Sequence, residues 1–356
     1  MNIDEKYIRR SIELAARGRG NTKSNPMVGA VIVHKGKIIG EGYHRKHGEG
    51  HAEVNAIRSV KDESLLAEST IYVSLEPCSH HGKTPPCADL IIEKGIPRVV
   101  VACLDPFSKV SGRGIKKLKD AGVEVITGVL EKEAWELNNT FMTAHTLQRP
   151  YVILKWAQSI DGFIDKVRTD ACTAPVVFST PYTNMLVHKL RSEVSAIMVG
   201  TNTAILDNPS LNVRTWSGDS PTRVVLDRNL RIPKSAKLYD GSSPTLFFTE
   251  KEETSEYDNV ENIKVNFSKD LLHEILKNLY SRNLTSLLVE GGATLHNHFI
   301  KEGLWDEIRI ETGNLSLGEG VPAPDITAVL NQADNYSETF DCSFRVLRRA
   351  YTSEFH

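Results

Sequence analysis

The chain has 356 residues, more than a single core of ordinary size holds, so its length predicts two domains. Its 43 Lys and Arg residues nearly balance 45 Asp and Glu, so the composition does not indicate a broad surface for binding polyanions. With 40% hydrophobic and 25% charged residues, the chain has the composition of a globular protein, which excludes a disordered or fibrous one.

The sequence shows neither a membrane span nor a signal peptide, and its cysteines favour a reducing compartment. No apolar run approaches the roughly 18 to 20 residues of a membrane span, and residues 1–10 lack the apolar centre of a signal peptide. Five cysteines, an odd number in a long chain, favour reduced thiols over a disulfide framework. We therefore expect a cytoplasmic protein with no membrane partner. The oligomeric state stays open, with a homo-oligomer as one option.

The first half alternates helical and β-rich patterns. Asp4 is a candidate cap for a first helix reaching Ala15, and Lys35-Gly36 predicts a hairpin. The expected strands are 27–33, 37–43, 70–75, 99–104 and 123–129, and the further helices are 51–60, 88–94, 114–121 and 131–145. This order predicts an α/β domain with helices on both faces of a sheet. Pro150 disfavours helix at the residue before it, which places the domain boundaries at 1–147 and 148–356.

The second half restarts the alternation. The expected strands are 151–155, 196–199, 223–226, 245–248 and 286–289, and the expected helices are 182–191, 270–281 and one from Ala293. These elements predict a second α/β domain. Residues 313–339 have a weak pattern and are expected to form a loop.

Three side chains of the first half have the chemistry of a zinc site. His51, Cys78 and Cys87 supply one imidazole and two thiolates, which leaves the fourth tetrahedral position for water, as in catalytic sites. Glu53 is then the natural proton shuttle. The alternative is a closed structural knuckle in which His80 or His81 is the fourth ligand and Glu53 is idle. Because residues two apart in a helix point to nearly opposite sides, the metal must lie over the first helical turn.

The spacing of the cysteines carries a family resemblance. Zinc deaminases combine His-x-Glu with Pro-Cys-x-x-Cys, whereas eight residues separate Cys78 from Cys87. The segments 25–33, 40–44, 51–56 and 75–87, including that longer spacing, resemble the deaminase half of the bifunctional riboflavin-biosynthesis deaminase/reductase family. The resemblance implies a fold like cytidine deaminase and hydrolytic removal of an amino group from 2,5-diamino-6-(5-phosphoribosylamino)pyrimidin-4-one. It also implies zinc on His51, Cys78 and Cys87, Glu53 as proton shuttle, and Asn25 in substrate binding.

The second half resembles the reductase half of the same family. It has no Gly-x-Gly-x-x-Gly, and Glu290-Gly291-Gly292 before a helix is on its own either an anion site or a plain turn. The segments 154–162, 188–191, 199–203, 207–214 and 288–294 carry the resemblance. It implies a dihydrofolate-reductase-like α/β fold and reduction of the ribosyl side chain to ribityl by NADPH.

The resemblance also implies site residues in this half. Those lining the substrate would be Lys155, Arg191, Leu211, Arg214 and Glu290. Those contacting the cofactor would be Ala157, Thr203, Asp207 and the turn from Gly292 to His298, which includes Ala293, Thr294 and Leu295. Asp207 is also a candidate proton donor or relay. Two positions depart from the family pattern: Val177 replaces a common tryptophan, and Ser195 stands where an acidic residue is common.

A hypothesis of a different class competes with this one. A nucleotide or nucleic-acid deaminase could carry a C-terminal binding module without reductase activity. Nucleic-acid binding would call for a basic face with exposed aromatic side chains. The balanced charge and the cysteine spacing count against it, so we expect a small phosphorylated pyrimidine as substrate and no nucleic-acid partner.

Overall fold

The computed structural model describes residues 2–22, 24–79, 85–106, 111–267, 270–339 and 342–349, with the backbone alone for 331–339. His80 and His81 lie outside the described residues. The chain divides into two compact units, Met1–Gln148 and one that begins at Arg149. Among the described residues, none of the helices has the length and apolar character needed to cross a bilayer.

The first unit is built on a five-stranded sheet within the described residues, in the order β2-β1-β3-β4-β5. Its strands are β1 (Gly29–His34), β2 (Lys37–Tyr43), β3 (Ser69–Leu75), β4 (Arg98–Cys103) and β5 (Glu124–Thr127). Its helices are α1 (Ile3–Ala15), α2 (Ala52–Arg58), α3 (Cys87–Glu93), α4 (Arg113–Asp120), α5 (Glu131–Leu137) and α6 (Asn139–Leu147). β1 is antiparallel to β2 and β3, whereas β3, β4 and β5 are parallel.

Helices cover both faces of this sheet. Side chains of α2, α3 and α4 pack on one face, and those of α1, α5 and α6 pack on the other. The α/β prediction for this half is therefore confirmed. The first helix is capped by Asn2 and not by Asp4, which is buried beside Arg98 and Tyr72.

The helix expected over 131–145 is interrupted at Asn138. The Asn138 side chain is buried, accepts a hydrogen bond from the amide of Met27 at 2.7 Å and donates one to the Met27 carbonyl at 2.8 Å. This pair joins the helical region to the segment that leads into β1. Such a contact spans more than a hundred residues, so local periodicity could not reveal it.

The second unit contains a nine-stranded sheet among the described residues, in the order β11-β10-β9-β8-β12-β6-β13-β16-β15. The strands of this unit are β6 (Tyr151–Gln158), β7 (Phe163–Asp165), β8 (Ala196–Gly200), β9 (Thr222–Leu226), β10 (Thr245–Thr249), β11 (Val260–Lys264), β12 (Ser286–Gly291), β13 (Glu307–Thr312), β14 (Val321–Pro322), β15 (Ala333–Thr339) and β16 (Ser343–Arg349). Its helices are α7 (Pro181–Glu193), α8 (Thr201–Asp207), α9 (Leu271–Ser281) and α10 (Ala293–Lys301). The α/β prediction is confirmed here too.

The order of these strands predicts where a ligand binds. From β6 the chain passes to β8 and outward to β11, then returns to place β12 between β8 and β6. Ligands of parallel α/β sheets bind at the carboxyl ends of strands where the order reverses. Here those ends carry Gly200 and Glu290, and Lys155 follows the stretch of β6 that pairs with β12.

The prediction of a loop over 313–339 is wrong in part. β15 occupies 333–339 and pairs with β16 along its whole length, while β14 pairs with β7. β15 is a polar edge strand, so the apolar alternation that marks a half-buried strand is missing from its sequence.

Candidate active sites

His51 and Glu53 lie on two kinds of backbone. His51 has extended dihedral angles (φ −67°, ψ 165°) and precedes α2, whereas Glu53 is in the first turn of the helix. The change of conformation between them removes the difficulty that positions two apart in a regular helix would face nearly opposite sides. Both side chains reach the same thiol, since His51 Nδ1 lies 3.3 Å from Cys87 Sγ and the Glu53 carboxyl is hydrogen-bonded to Cys87.

The three candidate ligands have the spacing of a tetrahedral metal site. His51 Nδ1 is 3.6 Å from Cys78 Sγ, and the three ligand atoms all lie within 4.8 Å of one another. Zinc bonds of about 2.3 Å to sulfur and about 2.0 Å to nitrogen, at a tetrahedral angle, place those atoms about 3.5 Å apart. The donor set fits zinc in both chemistry and separation.

Glu53 is a buried carboxyl group, with 3% of the residue exposed. Burial raises its pKa to about 7, with a further contribution from the charge of Cys78. A hydrogen bond from Cys87 lowers the pKa of Cys78 to about 4, and one from His51 contributes a smaller lowering. Burial acts in the opposite direction. Cys78 is therefore a thiolate at neutral pH, and Glu53 can both take up and release a proton there.

Glu76 supports the loop that carries Cys78, and the sequence analysis missed it. Its buried carboxylate accepts backbone hydrogen bonds from Asp105 (3.3 Å), Gly112 (3.0 Å), Gly114 (2.9 Å) and Ile115 (3.2 Å). A Cβ on Gly114 would lie 2.1 Å from the Pro77 carbonyl oxygen, so only glycine permits this approach. The start of α4 is thus held directly against the cysteine loop. The only signal in the sequence is a glutamate beside Pro77-Cys78.

Asn25 lies beside His44 at the same site. Asn25 Nδ2 is 3.3 Å from His44 Nε2, and His44 Nδ1 is 3.3 Å from the Gly50 carbonyl oxygen. Both contacts are satisfied when His44 carries its proton on Nδ1. The His44 ring meets the His51 ring edge to face, with centroids 5.7 Å apart. The structure therefore places the predicted Asn25 near the three metal ligands and adds His44.

Arg191 and Glu290 form a buried ion pair in the second unit. Two contacts of 2.9 and 2.7 Å join the guanidinium to the carboxylate, and their side chains are 12% and 13% exposed. Burial alone would raise the pKa of Glu290, but the charge and hydrogen bonds of Arg191 lower it overall. Arg191 also donates to the carbonyl of Asn212, which brings the 211–214 segment to the pair.

The remaining residues of that segment differ in exposure. Leu211 is 2% exposed and packs in the core, at a positive φ of 51°. Arg214 is exposed, its backbone N–H donates to His188 Nδ1 at 3.1 Å, and its guanidinium contacts Asn212. Of the two arginines predicted to line the substrate, Arg214 has the more accessible side chain.

The Gly291-Gly292 turn lies against α8. A Cβ on Gly292 would be 3.2 Å from Thr203 Oγ1, so the predicted cofactor residues Thr203 and Gly292 are neighbours. Ala293 and Thr294 begin α10 and are partly or fully exposed, but the Leu295 side chain packs into the core. Ala157 lies on β6 beside Glu311 of β13.

Asp207 has a partner that the sequence analysis did not anticipate. The Arg168 guanidinium contacts the carboxylates of both Asp207 and Asp165 and donates to the Leu206 carbonyl at 3.2 Å. The Arg168 side chain is 5% exposed, so it fixes the end of α8 to the β7 loop.

The two departures from the family pattern have different surroundings. Val177 is 75% exposed and supplies no aromatic surface. Ser195 exchanges hydrogen bonds with Ser286, its hydroxyl lying 2.8 Å from the Ser286 amide, and so ties the start of β8 to β12.

Comparison with known proteins gives both units close relatives. Residues 1–103 match the model of the cytidine and deoxycytidylate deaminase zinc-binding region, and residues 150–344 match the RibD C-terminal domain. The riboflavin biosynthesis protein RibD of Aquifex aeolicus is 43% identical over 91% of this chain and 90% of its own length. The Escherichia coli RibD is 36% identical over 88% of this chain and 89% of its own length.

Solved structures agree with the sequence relatives. The diaminohydroxyphosphoribosylaminopyrimidine deaminase/5-amino-6-(5-phosphoribosylamino)uracil reductase of Thermotoga maritima superposes with a TM-score of 0.86 at 37% identity, covering 98% of this chain and 99% of the other. Acinetobacter baumannii RibD gives a TM-score of 0.85 at 33% identity, with the same coverage.

Fold, donor set and relatives together define an enzyme with a zinc-binding deaminase half and a reductase half. The chain belongs to the RibD family of bifunctional deaminase/reductases of riboflavin biosynthesis. The competing hypothesis of a C-terminal binding module without reductase activity is not favoured, because the RibD match covers nearly all of the second half.

Proposed function

We propose that the first unit removes an amino group from the phosphoribosylaminopyrimidine substrate named for the Thermotoga relative, and that the second unit then reduces the ribosyl side chain with NADPH. We assign 1–147 to the deaminase domain and 148–356 to the reductase domain. The observation that carries the first assignment is the tetrahedral spacing of His51, Cys78 and Cys87 beside buried Glu53.

In the deaminase domain, His51, Cys78 and Cys87 would hold zinc, which would supply Lewis-acid activation of a water molecule for hydrolysis. Glu53 would take up and release the protons of this hydrolysis, including the one that the amino group needs in order to leave as ammonia. A carboxyl group whose pKa is near 7 suits both transfers. Asn25, with His44 behind it, binds the substrate.

In the reductase domain, Lys155, Arg191, Arg214 and Glu290 line the substrate with their side chains, and Leu211, whose side chain packs in the core, lines it with its backbone. Arginine forks bind phosphate in two-point contacts, and exposed Arg214 is suited to that task. Glu290 keeps the buried Arg191 guanidinium in place through two contacts.

The proposed cofactor residues come from β6, α8 and the turn before α10. NADPH would supply the hydride, and the residues that would hold it are Ala157, Thr203, Asp207 and the turn formed by Gly292, Ala293, Thr294 and Leu295. Because Arg168 already donates to the Asp207 carboxylate, we assign Asp207 to accepting hydrogen bonds from the cofactor and not to donating a proton.

A two-stage assay tests this function. Zinc-loaded protein is incubated with the phosphoribosylated diaminopyrimidine, and products are separated by chromatography. We expect ammonia and the deaminated intermediate without NADPH, and the ribityl product with matching NADPH oxidation once it is added. Ammonia release without any later NADPH oxidation would contradict the reductase assignment. We also propose that the enzyme works in the cytoplasm on this small molecule without a nucleic-acid partner.

A further inference from the structure

Glu311 is a buried charge that the roles assigned above do not use. It lies on β13, and its side chain is 0% exposed. Taking a carboxylate out of water is costly unless hydrogen bonds and an opposite charge compensate for it. The contacts of Glu311 therefore show what this carboxylate does.

Glu311 gathers donors from three segments. Thr183 Oγ1 in the first turn of α7 donates to it at 2.6 Å, and Ser179 Oγ, just before that helix, donates at 2.8 Å. The Cys342 thiol, just before β16, donates to it at 3.6 Å. Lys155 Nζ of β6 lies 3.4 Å away. Burial raises the pKa of Glu311, but the Lys155 charge and these hydrogen bonds lower it overall, so it is a carboxylate at neutral pH.

Lys155 interacts with two buried carboxylates, which differ in whether another cation already binds them. Glu290 interacts with the Lys155 charge but is joined to Arg191 by two short contacts. Glu311 contacts the ammonium group directly. Two further basic groups face Lys155: His296, which feels its charge, and Arg309, its neighbour across the β6–β13 pair. Glu311 is thus the carboxylate that can fix the position of the ammonium group.

We infer that Glu311 is a positioning residue for the reduction, because its buried carboxylate holds the Lys155 ammonium in the substrate site. The inference rests on the proposed reductase site, in which Lys155 lines the substrate. Ser179 and Thr183 keep the carboxylate in place, and Thr183 lies on α7, the helix that also carries Arg191. One carboxylate therefore couples two cationic side chains of the site, Lys155 directly and Arg191 through its helix.

The test is Glu311→Gln, a substitution that keeps the shape and removes the charge. We expect reductase kcat to fall by about tenfold or more, because small misplacements of reacting groups lower the rate strongly. KM for NADPH is expected to change less than about twofold. Glu311→Asp keeps the charge but retracts it, so we expect a loss of about three- to tenfold. Deaminase activity of the same variants, in the other unit, is expected to stay at the wild-type level and reports that the first unit is intact. Urea unfolding followed by tryptophan fluorescence reports whether the second unit is folded.

Glu307→Gln is the matched control. Glu307 is an equally buried carboxylate of β13 whose partners are Arg309, Arg348 and Tyr151. Glu307 lies four residues from Glu311 along β13, about 13 Å at ~3.3 Å per residue, and does not contact Lys155 in the described structure. We expect its kcat to remain near that of the wild type.

Three results would overturn the inference: an unchanged kcat in Glu311→Gln, an equal loss in Glu307→Gln, or a rise in KM for NADPH with kcat preserved. If Glu311→Gln does not fold, Glu311→Asp decides, and wild-type kcat in that variant overturns the inference. A wild-type protein without NADPH-dependent reduction would instead contradict the proposed function, so the two failures are distinguishable.

Discussion

The two candidate sites use charge in different ways. In the first unit, His51, Cys78 and Cys87 bring three metal-binding atoms within 4.8 Å, and hydrogen bonds from Cys87 and His51 stabilise the Cys78 thiolate. In the second unit, Arg191 with Glu290 and Lys155 with Glu311 balance charge inside the chain. The first site therefore gathers donor atoms suited to an added cation, whereas the second pairs cationic and anionic side chains of the chain itself. Perturbing single residues at each site tests this difference.

The largest effect is expected from removing a metal ligand. Cys87→Ser weakens the donor set, and we expect deaminase activity to fall by about 10³-fold or more with loss of bound zinc. Reductase activity should remain, because the second site needs no zinc. Elemental analysis of the purified variant and both activity assays check this. Retained zinc with full deaminase activity would remove Cys87 from the ligand set.

The next effect separates proton transfer from metal binding. Glu53→Gln keeps the shape but cannot exchange protons, so we expect deaminase kcat to fall by about 10²- to 10⁴-fold while zinc remains bound. Elemental analysis and kcat are measured on the same preparation. Activity within about tenfold of the wild type would exclude Glu53 as the shuttle.

Because buried charges of the second unit are paired with each other, we expect removal of one charge to lower the stability of this unit. Glu290→Gln leaves the Arg191 guanidinium buried without its partner charge, which we expect to lower the free energy of unfolding of this unit by about 3 kcal/mol. Urea unfolding followed by tryptophan fluorescence measures it, since Trp156, Trp216 and Trp305 lie in this unit. Glu261→Gln is the control, because its pair with Arg282 is exposed and should contribute less than about 1 kcal/mol. Equal effects of the two variants would contradict the prediction.

The smallest effect concerns pH and the Asp4–Arg98 pair. The Arg98 hydrogen bond, with help from Tyr72, lowers the pKa of Asp4 below its usual 3.8 despite burial. A carboxyl group with a lowered folded-state pKa stabilises the fold above the unfolded pKa, and that contribution is lost as pH falls below about 4. Asp4→Asn should therefore cost about 1.5 kcal/mol at pH 6 and progressively less below pH 4.

Unfolding of wild type and variant at several pH values measures that difference. Glu124→Gln is the control, because it removes the exposed second partner of the same arginine. A constant difference from pH 6 to pH 3 would show that the Asp4 charge is not the cause.

Local patterns predicted the parts of the molecule that local chemistry determines. His51-Ala-Glu53 and Pro77-Cys78 could be found because a metal site needs particular residue types at particular spacings. The α/β order could be read because helices and strands have different apolar periods. The NADPH contacts came from family resemblance, since no Gly-rich dinucleotide motif is present.

Long-range polar contacts could not be predicted in this way. Asn138 breaks a helix because it binds Met27, and Arg168 reaches Asp207 across 39 residues. Glu311 looks like an ordinary strand residue until α7 and β6 pack against it. In each case the partner is fixed by tertiary structure and not by neighbouring sequence.

The carboxylate of Glu76 also limits how far the enzyme can be trimmed. Its four donors come from residues 105–115, beyond residue 103, where the deaminase match ends. A fragment cut at that point would keep every metal-binding side chain but leave Glu76 without those amides, under the loop that bears Cys78. The smallest self-sufficient deaminase piece must therefore extend past Ile115 and include α4.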